Sequence, residues 1–296
     1  MKNISTEDLD IGYDVYGTPS ERVPLILLHG FPDDASAWRE VGRLLAAGGH
    51  YAIAPYVRGC GPTAFKAETS PRSGRASARS RDLIGLMDTL GIEKAVFIGQ
   101  DWGAATAQAM AFLNPLRAEQ LVILNGHGLL NMGVFAQGRL PSWETFHAGW
   151  YQWLFQSPAA KSILEADRAG FIRFVWTKWS PGWRFSEADL AGVVRSAQNP
   201  DWIDVVLSAY RGQEDPAADG RDSNADAVLA QLPPITCPTL NLQGANDGVD
   251  LHVDTQLGQE GYYHGPLASE VLDECGHFLH RERPDAVANR ILAFLA

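Results

Sequence analysis

The chain has 296 residues, 46% apolar and 20% charged, a composition ordinary for globular proteins and long enough for one large domain or a domain carrying an insertion. Asp and Glu number 35 against 24 Lys and Arg, a net charge of -11 that argues against nucleic acid or an anionic membrane surface as partner. The stretch Met1 to Asp10 is polar and acidic without the apolar run of a signal peptide, and no apolar run approaches the ~20 residues of a membrane span. A cytoplasmic protein is expected, with Cys60, Cys237 and Cys275 as reduced thiols, since the three lack metal-ligand spacing.

Three apolar runs in the first third of the chain predict buried parallel strands, each emptying into a turn. Val23 to Leu28 leads to His29-Gly30-Phe31-Pro32, Tyr51 to Pro55 leads to Arg58-Gly59-Cys60-Gly61, and Ala95 to Ile98 leads to Gly99-Gln100-Asp101-Trp102-Gly103. Helical spacing appears over Ala37 to Ala47, over Ala78 to Leu90 with Gly91 as a C-cap, and over Ala104 to Leu113, which Asn114-Pro115 ends. A strand is expected at Gln120 to Leu124. The alternation βαβα predicts a mostly parallel sheet flanked by helices, an α/β fold with right-handed crossovers.

That rhythm stops between about Leu129 and Asp222. The segment has no strand-like run and holds seven of the nine tryptophans (Trp143, Trp150, Trp153, Trp176, Trp179, Trp183 and Trp202), so it reads as an inserted helical lid and not as a loop. Strands resume at Pro238 to Leu242 and at Ala268 to Leu272, and an amphipathic helix spans Pro284 to Leu295. The expected organisation is a core over 1–128, a helical cap over 129–222 and the rest of the core over 223–296.

Gly99 to Gly103 is G-x-D-x-G, the frame of a strand-to-helix nucleophile elbow with aspartate where serine usually stands. Asp101 could simply cap the following helix. Its flanking glycines instead suit a tight turn that exposes one side chain, and a carboxylate there attacks a saturated carbon to form an alkyl ester. Freeing that ester needs a base. Among eight histidines, His277 in Glu274-Cys275-Gly276-His277-Phe278 follows the last strand, where the order nucleophile, acid, histidine places it; the alternative is an ordinary loop histidine. Asp247, after the preceding strand, is the expected orienting acid, with Asp250 as competitor. The backbone N–H groups of Phe31 and Trp102 are candidates for an oxyanion hole.

These segments together resemble the α/β-hydrolase fold, and within it the branch of epoxide hydrolases and haloalkane dehalogenases, over nearly the full length. Two departures stand out: Gln100 where relatives usually have histidine before the nucleophile, and Tyr56 to Thr63 where they commonly carry Asp-x-x-Gly-x-Gly-x-Ser. Some relatives hold the orienting acid after an earlier strand, but Leu124-Asn125-Gly126 offers no carboxylate there. The resemblance implies two lid tyrosines that protonate an epoxide oxygen, and Tyr151 and Tyr210 fit those segments; aromatic packing is the alternative for each. Dehalogenases instead need halide donors. The indole of Trp102 could serve as one, but Phe31 stands where many carry asparagine, and Trp102 itself where fluoroacetate-type enzymes carry arginine. The expectation is an epoxide hydrolase acting on a small apolar epoxide and water, with no metal or organic cofactor implied and a homodimer left open. A dehalogenase with the same nucleophile and a non-catalytic ligand-binding protein of this fold are the competing expectations.

Overall fold

A computed structural model of the protein describes residues 1–126, 142–211, 220–250 and 260–296. Its sheet comprises β1 (Lys2–Ser5), β2 (Leu9–Tyr16), β3 (Leu25–Leu28), β4 (Ala52–Pro55), β5 (Ala64–Phe65), β6 (Ala95–Gln100), β7 (Ala118–Leu124), β8 (Thr239–Gly244) and β9 (Leu267–Leu272). The strand order is β1-β2-β4-β3-β6-β7-β8-β9, with β5 attached to β2. From β4 to β9 the neighbours are parallel, and β2 pairs antiparallel with β1, β4 and β5.

The continuous apolar runs follow from cover on both faces. Ile26, Leu28 and Phe97 point to one side, where they pack with Leu83 and Met87 of α2 (Ala76–Thr89, following α1 at Arg39–Ala47) and with Ala107 and Met110 of α3 (Trp102–Leu113). Leu25, Leu27, Val96 and Ile98 point to the other, against Trp38, Val41 and Leu45 and against Val287 and Ile291 of the last helix, Pro284–Leu295. Period-two alternation thus serves two cores at once.

The predicted elements form, with shifts of a few residues at their ends. The helix expected from Ala37 begins as a 3-10 turn, Ala35–Trp38, because the Asp34 carboxylate accepts from the Ser36 N–H at 2.8 Å and starts the turn early. Gly91 follows α2 at a φ of +68°, the left-handed conformation that a helix-ending glycine supplies. The apolar pattern predicts no strand before Val23. There β1 is an exposed edge strand whose polar residues carry no burial signal, whereas in β2 Leu9 and Ile11 to Tyr13 are buried, interrupted by the exposed Asp10 and followed by the half-buried Asp14.

Between β7 and β8 the described chain is helical: Trp143–Ala148, Trp150–Gln156, Ala160–Ala166, Arg168–Trp179, Glu187–Ser196 and Trp202–Tyr210, then Ser223–Leu229. The insert's expected start at 129 lies outside the described residues. A third apolar cluster joins insert to core, with Phe31 and Phe278 from the core meeting Tyr151, Phe155, Trp176, Trp179 and Trp202. Polar ties add to it. Gly61 donates its N–H to Ser196 O at 2.9 Å, and Asn199 Nδ2 donates to the carbonyls of Gly61 and Thr63 at 3.0 and 2.9 Å.

A buried ion pair fixes the loop after β3. Arg281 Nε donates to Asp33 Oδ2 at 2.6 Å, both side chains lie under 10% exposed, and the guanidinium covers the Trp176 ring at 5.2 Å. Removing Asp33 leaves a buried cation whose next carboxylate, Asp34, is 4.0 Å away. Asp33→Ala should therefore cost about 3 kcal/mol in urea unfolding, the usual penalty for breaking such a pair. A loss under about 1 kcal/mol would show that Asp34 suffices.

Candidate active site

The chain leaves β6 and enters α3 through a single residue in an unfavourable conformation. Asp101 has φ 52° and ψ -114°, outside the regions that L-residues ordinarily occupy. The turn is possible because its neighbours lack side chains. A Cβ on Gly99 would stand 2.2 Å from Gly103 O, one on Gly103 1.9 Å from Leu28 O, and one on Gly30 2.5 Å from Asp101 Cβ. Asp101 makes no side-chain cap on α3, so the capping alternative fails. Instead Oδ1 accepts the Phe31 N–H at 2.7 Å. Trp102, the other residue expected to donate, opens α3, where N–H groups lack an intrahelical acceptor.

The ends of β8 and β9 bring His277 to the same point. Its Nδ1 lies 2.8 Å from Asp247 Oδ2, and because a carboxylate only accepts, Nδ1 carries the proton. Asp247 Oδ1 takes the N–H groups of Val249 and Asp250, each at 2.9 Å. Asp250, the competitor for the orienting role, thus offers Asp247 its backbone while the Asp247 carboxylate meets the imidazole. Nε2 of His277 points toward Asp101, 3.7 Å from Oδ2. Burial alone would push the His277 pKa down, but the charges of Asp247 and Asp101 outweigh it and raise it to about 10. Cys275 is no rival nucleophile, because burial pushes its thiol up to about 11.

Across Asp101 lies an aromatic wall. Phe31 stacks on Trp102 with ring centres 5.2 Å apart, and the Tyr151 and Tyr210 rings meet edge to face at 5.3 Å. Trp102 Nε1 donates to Tyr210 Oη at 3.0 Å, and Gln152 Nε2 reaches Tyr151 Oη at 3.4 Å. Burial first, then neighbouring negative charge including that of Asp101, raises the pKa of both phenols, so both keep their protons. All seven residues singled out in the sequence therefore converge on one place.

Several residues that hold this place were not singled out. Asn125, which drew notice only for lacking a carboxylate, donates Nδ2–H to the carbonyls of Gly276 and His277 at 2.8 and 2.9 Å and accepts the Gly244 N–H at 2.8 Å. One amide thereby ties the ends of β7 and β8 to the histidine loop. Gln100, the departure from the usual histidine, is fully buried and donates to His277 O at 3.3 Å. Glu282 accepts from Ser180 Oγ at 2.7 Å and from the Gly276 N–H at 2.9 Å. A polar residue at the carboxyl end of a buried strand was the available signal for Asn125 and Gln100; nothing local marks Ser180 or Glu282. Among the described residues no cluster of three His, Cys, Asp or Glu side chains is placed to hold a metal, and no helix is long and apolar enough to cross a membrane.

A mostly parallel sheet, a strained strand-to-helix turn presenting an acid, and a histidine–aspartate pair on the following strand ends define an α/β-hydrolase enzyme. A model of the alpha/beta hydrolase family matches residues 25–290. Full-length relatives include an epoxide hydrolase of Caballeronia sordidicola, 38% identical with 96% of this chain and 91% of that one covered. Epoxide hydrolase A of Mycobacterium tuberculosis is 29% identical, with 94% and 92% covered. A crystal structure from Klebsiella pneumoniae subsp. pneumoniae superposes with a TM-score of 0.88 at 33% identity, covering 99% of this chain and 96% of that one. The chain belongs to the alpha/beta hydrolase family.

The raised His277 pKa links stability to pH. A group held at about 10 when folded and 6.5 when free contributes stability that is complete below about pH 6.5 and lost as pH rises through about 10. The difference in unfolding free energy between the native protein and His277→Gln should shrink across that window, as measured by urea unfolding at fixed ionic strength. A difference that is flat or grows with pH would show a neutral imidazole in the folded state.

Proposed function

We propose that the protein is an epoxide hydrolase that opens a small apolar epoxide to a vicinal diol through an alkyl ester on Asp101. The observation that carries this reading is one carboxylate with a histidine–aspartate pair on one side and two protonated phenols on the other. The names of the full-length relatives support the same substrate class. Residues 129–222 act as the cap that supplies the phenols, and its aromatic side chains favour an apolar substrate.

In the first step Asp101 Oδ2, the oxygen not held by the Phe31 N–H, attacks an epoxide carbon. The C–O bond of the ring breaks, and its electron pair takes a proton from Tyr151 or Tyr210, leaving a phenolate. Esterification removes the Asp101 charge and with it part of the reason for the high His277 pKa. The His277 proton then restores the phenol, and the imidazole becomes neutral. In the second step His277 takes a proton from water, and the hydroxide adds to the ester carbonyl. The developing charge falls on Oδ1, where the Phe31 N–H already stands at 2.7 Å and the Trp102 N–H is the second donor. Collapse breaks the ester C–O bond, the departing alkoxide takes the proton of the new carboxylic acid, and the diol leaves with carboxylate, imidazolium and phenols returned to the starting state. Dehalogenation has less support, because the Trp102 N–H that would receive a halide is given to Tyr210.

His277→Gln should keep the first step and lose the second, lowering turnover by roughly 1,000-fold or more. Incubated with styrene oxide, this variant should gain the mass of one epoxide on the peptide carrying Asp101, while the native protein forms diol. No adduct on the variant and no diol from the native protein across aliphatic and styrenic epoxides would overturn the proposal.

A further inference from the structure

We infer that the Trp102 indole is a positioning residue for the acid: its N–H occupies the oxygen of Tyr210 and so directs the Tyr210 proton toward the substrate. This rests on the epoxide reading above. A phenol oxygen that accepts a hydrogen bond has its own O–H left to give elsewhere. With Trp102 Nε1 donating at 3.0 Å, the Tyr210 proton is turned away from the indole, where Tyr151 is its hydrogen-bond partner until a substrate oxygen takes that place. As the ring oxygen takes that proton, charge develops on the Tyr210 oxygen, and the indole N–H is already in place to stabilise it.

A second observation strengthens the donor. The guanidinium of Arg79 lies 4.9 Å from the centre of the Trp102 ring, where a cation polarises the indole and makes its N–H a stronger donor. Arg79 is buried, and among the described residues it forms no ion pair with a carboxylate. Its donors go to neutral oxygens instead: Nε to Thr106 Oγ1 at 2.9 Å, one terminal nitrogen to Gly74 O, the other to Trp102 O at 3.5 Å. Burial lowers its pKa to about 10, which still leaves a cation at neutral pH. An unneutralised charge in that position is costly as packing alone. It is useful behind a group that must gain negative charge: after the opposing effect of burial, the Asp101 carboxylate and then a Tyr210 phenolate are the negative charges that act on it most. Thr106 Oγ1, the acceptor of Arg79 Nε, itself donates to Trp102 O at 2.8 Å, so the cation and the indole share one rigid support at the start of α3.

The decisive variant is Trp102→Phe, which keeps a ring against Phe31 and under Arg79 and keeps the backbone N–H, but removes the indole donor. The readout is the single-turnover rate of alkyl-enzyme formation with styrene oxide, followed by quench-flow and intact mass in the His277→Gln background, where the adduct persists. Trp102→Phe should slow adduct formation about tenfold, the effect of one hydrogen bond to a group gaining charge. In a Tyr210→Phe background, where the acceptor is gone, the same substitution should change the rate less than twofold. A role in packing would slow both backgrounds equally, and that result would overturn the inference, as would an unchanged rate in the first. Should Trp102→Phe fail to fold, 3-benzothienylalanine placed at 102 keeps the bicyclic shape and lacks the N–H; it should show the same tenfold loss, and a native rate would overturn the inference. If the His277→Gln parent forms no adduct at all, it is the epoxide reading that fails.

Discussion

Backbone crowding at the end of β6 sets the geometry of everything that converges there. The Asp101 side chain reaches the carboxyl edge of the sheet because Gly30, Gly99 and Gly103 let three backbones approach more closely than any Cβ allows. The conformation at Asp101 is itself unfavourable, so the surrounding sheet and helix must hold it. That strain is tolerable because β3 and β7 run parallel to β6 on either side and α3 is packed into the apolar layer beneath. A sheet edge with this rigidity can present a carboxylate to a substrate without the entropy loss of ordering a loop.

Charge around Asp101 is distributed unevenly, and the unevenness has chemical content. On the His277 side the surroundings favour a cation, since two carboxylates outweigh the cost of burial. On the phenol side they favour neutral donors, since burial and nearby negative charge both oppose ionisation. In the proposed cycle the same carboxylate governs both sides, because its esterification withdraws the negative charge that each senses. A single covalent event thus converts an acid-bearing site into a base-bearing one, with no metal or bound cofactor in the proposal.

In the proposed cycle the helical insert contributes chemistry as well as cover. Phe31 from the core lies within about 6 Å, ring centre to ring centre, of Tyr151, Phe155, Trp202 and Tyr210 from the insert, so the insert closes directly over the elbow. Its attachment is apolar in the middle and polar at the margins, where Asn199, Ser196 and Asp201 meet the loop after β4 and Arg72. That loop is the stretch Tyr56 to Thr63, and its ties to Ser196 and Asn199 run through the backbone of Gly61 and Thr63.

The sequence by itself determined the parallel sheet, the helical insert and the identity of the residues that meet at the elbow, because each leaves a local mark. Buried strands read as apolar runs, the elbow as glycines at fixed spacing, and the histidine and its acid as polar residues just past strand ends. Tertiary structure decided what those marks do not encode. Strand β1 is polar and becomes a strand only through its pairing with β2. Asn125 and Gln100 reach the histidine loop, and Ser180 reaches Glu282, across 102 to 177 residues of chain, so no short window of sequence contains both ends of those hydrogen bonds. The meeting of Arg79, Trp102 and Tyr210 is of the same kind, since helix α2, the elbow and the end of the insert share no local pattern. Periodicity reports burial, which is a property of one segment; hydrogen bonds and charge report neighbours, which only the folded chain supplies.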